Sequence, residues 1–180
     1  MKNYIEAPDY SLDIACLKPS DNLFLAGSIT GAHDWQKEMA FKKYDILILD
    51  HNIESAIESA TDKDIRLVDY FNVFNPRRAN FDASDPNVEK NQIAWEYYCI
   101  HNCRNILFWF APETLAPITL FELGSALNTH NHENIYIGID PEYKRKNDVI
   151  IQTSLRDERL AKRIVFSKEE LAIQVLKRKI

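Results

Sequence analysis

The sequence has few cysteines, few glycines, no long apolar segment and no excess of basic residues. Three cysteines, an odd number, do not indicate a small disulfide scaffold, and Cys99 and Cys103, which form no CxxC pair, are predicted to be buried thiols rather than metal ligands. The longest apolar run, residues 106–111, is far too short to cross a bilayer, and residues 1–21 contain no apolar core of a signal peptide. A net charge of −5 leaves no basic surface for a nucleic acid polymer. We therefore predict a cytoplasmic protein with no metal, no membrane contact and no nucleic acid partner.

Length and hydrophobic pattern together predict one α/β domain over residues 1–180. About 100–200 residues per domain is usual, which bounds the domain count at one. The apolar segments are continuous rather than alternating, as in strands covered on both faces, and helical segments lie between them. This alternation indicates a parallel sheet of about five strands with helices on both faces. The predicted strands are 23–26, 46–49, 70–74, 106–110, 135–139 and 163–166, and the predicted helices are 35–43, 53–63, 88–104, 120–129 and 168–178.

The loop after the first strand is a candidate binding loop, because ligands bind at the carboxyl ends of strands in such sheets. Its sequence, Gly-Ser-Ile-Thr-Gly at 27–31, includes two of the four glycines in the chain. Glycine lets backbone N–H groups approach a ligand closely, and the next helix offers its N-terminus to an anionic or hydroxyl-rich ligand. A tight turn with Asp34 as the helix N-cap explains the loop equally well. The candidate residues are Gly27, Ser28, Thr30, Gly31, Asp34 and Trp35.

Arg77 and Arg78 follow the strand predicted at 70–74. Two guanidinium groups at the carboxyl end of a strand are suited to clamping a carboxylate, a phosphate or an active-site acid. A solvated pair of arginines on a turn set by Pro76 is the alternative, and the sequence does not distinguish the two.

Two glutamates lie in apolar surroundings near the strand ends. Glu96 falls on an apolar stripe of the helix 88–104, where burial raises the pKa of a carboxyl unless a cation pairs with it. Glu122 lies on the first turn of the helix predicted at 120–129. With Thr119 it forms a T-x-x-E capping box, in which Glu122 only accepts a backbone hydrogen bond. The alternative is a rigidly held carboxylate, kept ionised by the helix N-terminus, that acts as a nucleophile.

Taken together, these segments resemble the nucleoside 2-deoxyribosyltransferase-like family. The resemblance implies a flavodoxin-like fold, Glu122 as the nucleophile and Glu96 as an acid that contacts the base. It also implies that the glycine loop and its following residues, with Arg77, Arg78 and Thr119, bind the substrate. The similarity runs from residue 23 to about residue 155 and is carried by LFLAGSITG at 23–31, DWQ at 34–36, FNPRR at 74–78, WE at 95–96, FWF at 108–110 and PITLFELG at 117–124.

The chain departs from the family pattern in two places. The loop 115–119 lacks the acid that holds the sugar in this family. Hydrolases of deoxynucleoside 5′-monophosphates, which are relatives, hold phosphate with a serine shortly before the nucleophile, and here only Thr119 is near. The segment 44–69 is longer than the family pattern, and we predict that it is an insertion.

The resemblance implies transfer of a 2-deoxyribosyl group between bases through a covalent glutamyl intermediate, without a cofactor. The base would leave with a proton from Glu96 or Asp34 and would stack on Trp35. Hydrolysis of a nucleoside or nucleoside 5′-monophosphate, and non-catalytic nucleotide binding, are the alternatives, so the expected partner is a small nucleoside or nucleotide. The helix 88–104 is apolar on nearly every side, so its second apolar side needs a cover. We favour a homodimer or higher homo-oligomer that packs through it, and the alternative is that the segment 44–69 folds over it.

Overall fold

The structure is a computed structural model, and it describes residues 2–10, 14–45, 64–78 and 84–179. Its strands are β1 (Tyr4–Glu6), β2 (Asn22–Gly27), β3 (Tyr44–Asp45), β4 (Asp64–Ile65), β5 (Asn72–Asn75), β6 (Asn105–Phe110) and β7 (Ile135–Ile139). Its α-helices are α1 (Trp35–Phe41), α2 (Leu67–Tyr70), α3 (Val88–Asn102), α4 (Pro117–Thr129), α5 (Lys146–Arg156), α6 (Glu158–Ala161) and α7 (Lys168–Lys177).

The main sheet has five parallel strands in the order β1-β5-β2-β6-β7. A parallel bridge joins Gly138 of β7 to Val165. Counted from β2, the order β5-β2-β6-β7-Val165 is the 2-1-3-4-5 order of the flavodoxin-like fold, and β1 is added at the edge beyond β5. The predicted fold class is therefore confirmed. Because the strand order reverses beside β2, the carboxyl ends of β2 and β6 are where such a sheet binds its ligand.

Most predicted strands are present, with differences that have local causes. The strands β2, β6 and β7 confirm the predictions to within a residue or two. The strand predicted at 70–74 begins at Asn72, because residues 67–70 form the short helix α2. The run 163–166 contributes only the bridge at Val165. The strand predicted at 46–49 and the helix predicted at 53–63 lie outside the described residues.

The two ends of the segment 44–69 lie next to each other. The strands β3 and β4 pair antiparallel, with Tyr44 opposite Ile65, and form a ribbon separate from the main sheet. The chain therefore leaves and re-enters the fold at one place. This arrangement is compatible with an insertion, which stays a prediction.

Alternate residues of each strand enter two cores on opposite faces of the sheet, as the two-residue period of a strand requires. In β2, Phe24 and Ala26 belong to the core covered by α3 and α4, whereas Leu23 and Leu25 belong to the core covered by α1 and α7. Strands apolar on both faces explain the continuous apolar runs in the sequence. Since α3 and α4 cover the same face, the residues they carry at the carboxyl edge can meet.

Candidate active site

A cleft of about 340 Å³ opens at the carboxyl ends of β2 and β6, where α3 and α4 flank the sheet. This volume is at the lower end of the usual range for small-molecule sites. Glu96 of α3 and Glu122 of α4 both line the cleft, together with residues of the glycine loop. The remaining lining comes from Pro76, one side of α3 and the segment that leads from β6 into α4: Ile93, Thr114, Leu115, Ala116, Pro117, Ile118 and Thr119.

The predicted site residues divide into two groups in the structure. One group lines the cleft: Gly27, Ser28, Thr30, Glu96, Thr119 and Glu122. The other group does not line it: Gly31, Asp34, Trp35, Arg77 and Arg78. The second group instead holds the loops that form the cleft, as the contacts below show.

The glycine loop is held close to the loop that precedes α4. The hydroxyl oxygens of Ser28 and Thr114 are 2.5 Å apart, which ties the two loops together at the cleft. A Cβ at Gly27 would lie 2.4 Å from the Trp35 ring and 2.6 Å from the carbonyl oxygen of Trp109, so only glycine fits there. Gly31 has a φ of +79°, a conformation that favours glycine. The glycines thus serve close packing and the turn of this loop.

Trp35 and Asp34 support the loop from outside the cleft. Trp35 is fully buried in the core under α1, and its indole N–H donates to the carbonyl oxygen of Ser28 at 3.1 Å. Stacking of Trp35 on a base is therefore ruled out by its burial. The Asp34 carboxylate accepts from the backbone N–H of Lys37 at 3.1 Å, so Asp34 is the N-cap of α1, and it does not reach the cleft to donate a proton.

The two arginines clamp parts of the protein itself. The Arg77 guanidinium donates to the carbonyl oxygens of Ala32 and His33 at 3.1 and 2.9 Å, which fixes the end of the glycine loop. The Arg78 guanidinium donates to the side-chain oxygen of Gln92 and to the carbonyl oxygen of Val88 at 2.7 Å. The sequence suggests either that this pair binds the substrate directly or that it is solvated on a turn. In the structure, both guanidinium groups instead donate to protein oxygens and neither lines the cleft.

The helix α4 begins earlier than predicted, which removes the capping box. Its first residue is Pro117, and Ala116 before it has the left-handed conformation at φ 45° and ψ 55°. Thr119 is consequently inside the helix, and Glu122 lies on the second turn. The proline at the first helical position accounts for the early start, since its fixed φ suits a helix and its missing N–H costs nothing there.

Burial of the two glutamates raises the pKa of each. For Glu122, burial is the main cause and the charge of Glu96 adds to it, so the pKa rises to about 8. For Glu96, burial raises the pKa, while the hydrogen bond from Gln92 and the charge of Arg78 oppose the rise. Within the described part of the chain, no group donates a hydrogen bond to Glu122. The raised pKa favours the protonated form of Glu122, in contrast to the expectation that the helix N-terminus keeps this carboxyl group ionised.

The sequence-based prediction omits Gln92 and Thr114, two polar residues that contact predicted site residues. Gln92 donates to Glu96 at 2.6 Å, and Thr114 contacts Ser28. Gln92 lies four residues before Glu96 on a predicted helix, a spacing at which side chains meet, and this signal identifies it. Thr114 has no comparable signal, because its contact joins loops 86 residues apart.

Within the described ranges, no group of three or more histidine, cysteine, aspartate or glutamate side chains is placed to hold a metal ion. Those same ranges contain no helix with both the length and the apolar character needed to span a membrane.

Comparison with known proteins connects this cleft to one family. The family model described as nucleoside 2-deoxyribosyltransferase like matches residues 20–143, well over half of the chain. The matched region extends from β2 to the turn after β7, so it includes every residue that lines the cleft. No curated protein matches the chain.

A matched pair of glycine variants tests the packing under the loop. We expect Gly27→Ala to lower the free energy of unfolding by about 1–3 kcal/mol, because the added methyl group overlaps the Trp35 ring and the Trp109 carbonyl. Gly124→Ala, in α4, meets no atom within 4 Å and is expected to raise that free energy by up to about 1 kcal/mol. Urea denaturation measures both. Equal effects of the two variants would contradict this account of Gly27.

The raised pKa of Glu122 predicts a pH-dependent gain of stability in Glu122→Gln. The carboxyl titrates near 4.5 when unfolded and near 8 when folded, so over this interval unfolding releases a proton and wild-type stability falls as the pH rises. Glutamine does not ionise. We expect the variant to be more stable by about 1–3 kcal/mol at about pH 8.5, after allowance for partial exposure, and by much less at about pH 5. Urea denaturation at both pH values measures this.

The control for that experiment is Glu158→Gln, which removes an exposed carboxylate paired with Lys162. It should show no comparable trend with pH. A stability difference between Glu122→Gln and wild type that does not change with pH would show that the pKa of Glu122 is not raised.

Proposed function

The chain belongs to the nucleoside 2-deoxyribosyltransferase-like family, and on that premise we propose that it transfers a 2-deoxyribosyl group from one nucleobase to another. The observation that carries this proposal is the pair of buried carboxyl groups in one cleft, Glu96 and Glu122. A double displacement at C1′ requires one ionised carboxylate as nucleophile and one acid for the leaving group. Two interacting carboxyl groups that share a proton can supply both.

In the proposed first step, the Glu122 carboxylate attacks C1′ and forms an ester with the sugar. The bond between C1′ and the base nitrogen breaks, and its electron pair leaves with the base, which takes a proton from Glu96. In the second step, a new base attacks C1′, the ester breaks to regenerate the Glu122 carboxylate, and the proton of the incoming base passes to Glu96. Attack requires the shared proton to reside on Glu96, so binding of the substrate must draw it from Glu122.

The charge of the cleft favours a nucleoside over a nucleotide. Its lining, taken over the described residues, includes two carboxyl groups and no lysine or arginine. Both nearby guanidinium groups donate hydrogen bonds to oxygen atoms of the protein. Arg77 donates to carbonyl oxygens at the end of the glycine loop, and Arg78 donates to a carbonyl oxygen of α3. A phosphate group would therefore meet negative charge without a cation to neutralise it. The hydroxyls of Ser28, Thr114 and Thr119 are suited to neutral sugar hydroxyls.

The rim of the cleft is apolar and exposed in the single chain. Ile93 and Tyr97 of α3 and Ile118 and Phe121 of α4 are exposed, Phe121 to 77%. The sequence predicts that the apolar sides of the helix 88–104 are covered, whereas Ile93 and Tyr97 are exposed in the single chain. This exposed rim leaves the cleft open to water. A transferase must keep water from the ester, because water would hydrolyse it. A second copy packed on this rim, whose aromatic residues are typical of interface cores, would exclude that water.

Incubation with 2′-deoxynucleosides, with and without a free acceptor base, tests the proposed reaction. With acceptor, we expect chromatography to show a new deoxynucleoside. We expect Glu122→Gln to lose at least about a hundredfold in rate, because an amide cannot form the ester. Glu158→Gln, far from the cleft lining, should keep its activity. Retained activity in Glu122→Gln would exclude it as the nucleophile, and release of free sugar regardless of acceptor would identify a hydrolase.

Sedimentation of wild type beside Tyr97→Glu tests the rim. We expect a wild-type dimer at micromolar concentration and a largely monomeric variant, since a buried charge at an interface core is costly. The variant should also hydrolyse a larger share of its ester intermediate. Phe166→Glu, which adds the same charge at an exposed aromatic residue outside the rim, is the control and should remain dimeric. A strictly monomeric wild type would contradict the interface.

A further inference from the structure

We propose that Gln92, oriented by Arg78, is a positioning residue that makes Glu96 a stronger acid by stabilising the carboxylate that remains after it donates its proton. This inference rests on the proposed function, in which Glu96 protonates the leaving base. It assigns a role to Gln92 and replaces the direct role in substrate binding that the sequence suggests for Arg78.

The side-chain amide of Gln92 forms hydrogen bonds through both its nitrogen and its oxygen. Its nitrogen donates to one carboxylate oxygen of Glu96 at 2.6 Å and to the carbonyl oxygen of Pro76 at 2.7 Å. A primary amide nitrogen has two hydrogens, so both are used. Its oxygen accepts from Nε of Arg78. The amide thus bridges the loop after β5 and the acid on α3.

Arg78 determines which way this amide points. The guanidinium also donates to the carbonyl oxygen of Val88 at 2.7 Å, which holds it against the first turn of α3. An arginine has donors only, so it selects the oxygen of the Gln92 amide and turns the nitrogen toward Glu96. The flipped amide would point its oxygen at a carboxylate and its nitrogen at a cation, and both contacts would be unfavourable. The orientation is therefore fixed by charge.

The surroundings of Glu96 oppose one another. Burial disfavours its ionised form, whereas the hydrogen bond from Gln92 and the charge of Arg78 favour it. Glu122 on α4 is the carboxyl group whose pKa the charge of Glu96 raises in turn. One turn further along α3 lies Cys99, a buried thiol whose own pKa is raised by burial and by Glu96, so it stays neutral. Among the residues that the structure describes, the Gln92 side chain donates the hydrogen bond to the Glu96 carboxyl group.

The hydrogen bond matters most when Glu96 loses its proton. Negative charge then grows on the carboxylate, and a preorganised N–H donor stabilises it more strongly than it stabilises the neutral acid. Because one oxygen of Glu96 is held by Gln92, the other oxygen is left to face the base. The relay from Arg78 through Gln92 therefore sets both the strength and the direction of the acid.

Kinetics of Gln92→Met across a range of pH tests this role, since methionine keeps the length and removes the donor. We expect kcat to fall about tenfold with KM changed by less than about twofold, because the hydrogen bond acts in the transition state. The alkaline limb of the pH profile should move up by about one pH unit, since the pair keeps its last proton to higher pH without the donor. Arg78→Met should change kcat and the alkaline limb in the same directions, but by smaller amounts. Asn91→Met, at the exposed neighbouring position, should change neither.

A titration without substrate separates this inference from the proposed function. In a Glu122→Gln background, carbon-13 NMR of labelled glutamates follows Glu96 alone in the cleft. We expect Gln92→Met to raise the pKa of Glu96 by about one unit there. A titration of Glu96 that Gln92→Met and Arg78→Met leave unchanged would overturn the relay, even if both variants lose activity. A shifted titration in a protein without glycosyl transfer would support the relay and reject the proposed reaction.

Discussion

The burial of two carboxyl groups in one cleft is the constraint to which the rest of the site is adapted. Glu96 and Glu122 lie on separate helices, but both helices cover the same face of the sheet and begin at its carboxyl edge. Burial is the main cause of the raised pKa of each group, and the charge of Glu96 raises the pKa of Glu122 further. The pKa of Glu122 rises to about 8, and the sharing of one proton in the proposed mechanism rests on this rise. The proposed chemistry thus depends on where α3 and α4 lie.

The polar residues around this pair serve the protein scaffold rather than the ligand. Arg77 holds carbonyl oxygens at the end of the glycine loop, and the buried Trp35 supports the loop through the carbonyl oxygen of Ser28. Because these contacts order the loop before a ligand arrives, ligand binding does not have to order it, and the entropic cost of binding is smaller. They also keep cations out of the cleft, which preserves the raised pKa values of its glutamates.

Sequence reasoning identifies the fold and the two glutamates because these depend on local patterns. Continuous apolar runs mark β2, β6 and β7, and the strand-end rule places the site. The failures have physical causes as well. Trp35 begins a helix shortly after a glycine-rich loop, where a ligand-stacking residue is expected, but its burial depends on tertiary packing against the sheet. The capping box at Thr119 is overruled by Pro117, a stronger signal two residues earlier. The contact of Thr114 with Ser28 joins distant loops and leaves no trace in a local pattern.

The missing acid in the loop 115–119 is consistent with the electrostatics of the cleft. The part of the lining that the structure describes already has two carboxyl groups and no cation, and burial raises the pKa of Glu122 to about 8. A third carboxylate there would raise all three pKa values further and would make an ionised nucleophile harder to reach. Hydroxyl groups avoid this, because they bind sugar hydroxyls without adding charge. Ser28 and Thr114, whose hydroxyl oxygens are 2.5 Å apart, line the same cleft as Glu122. We therefore expect the sugar to be held here by neutral groups, which leaves the single shared proton free to move between the two acids.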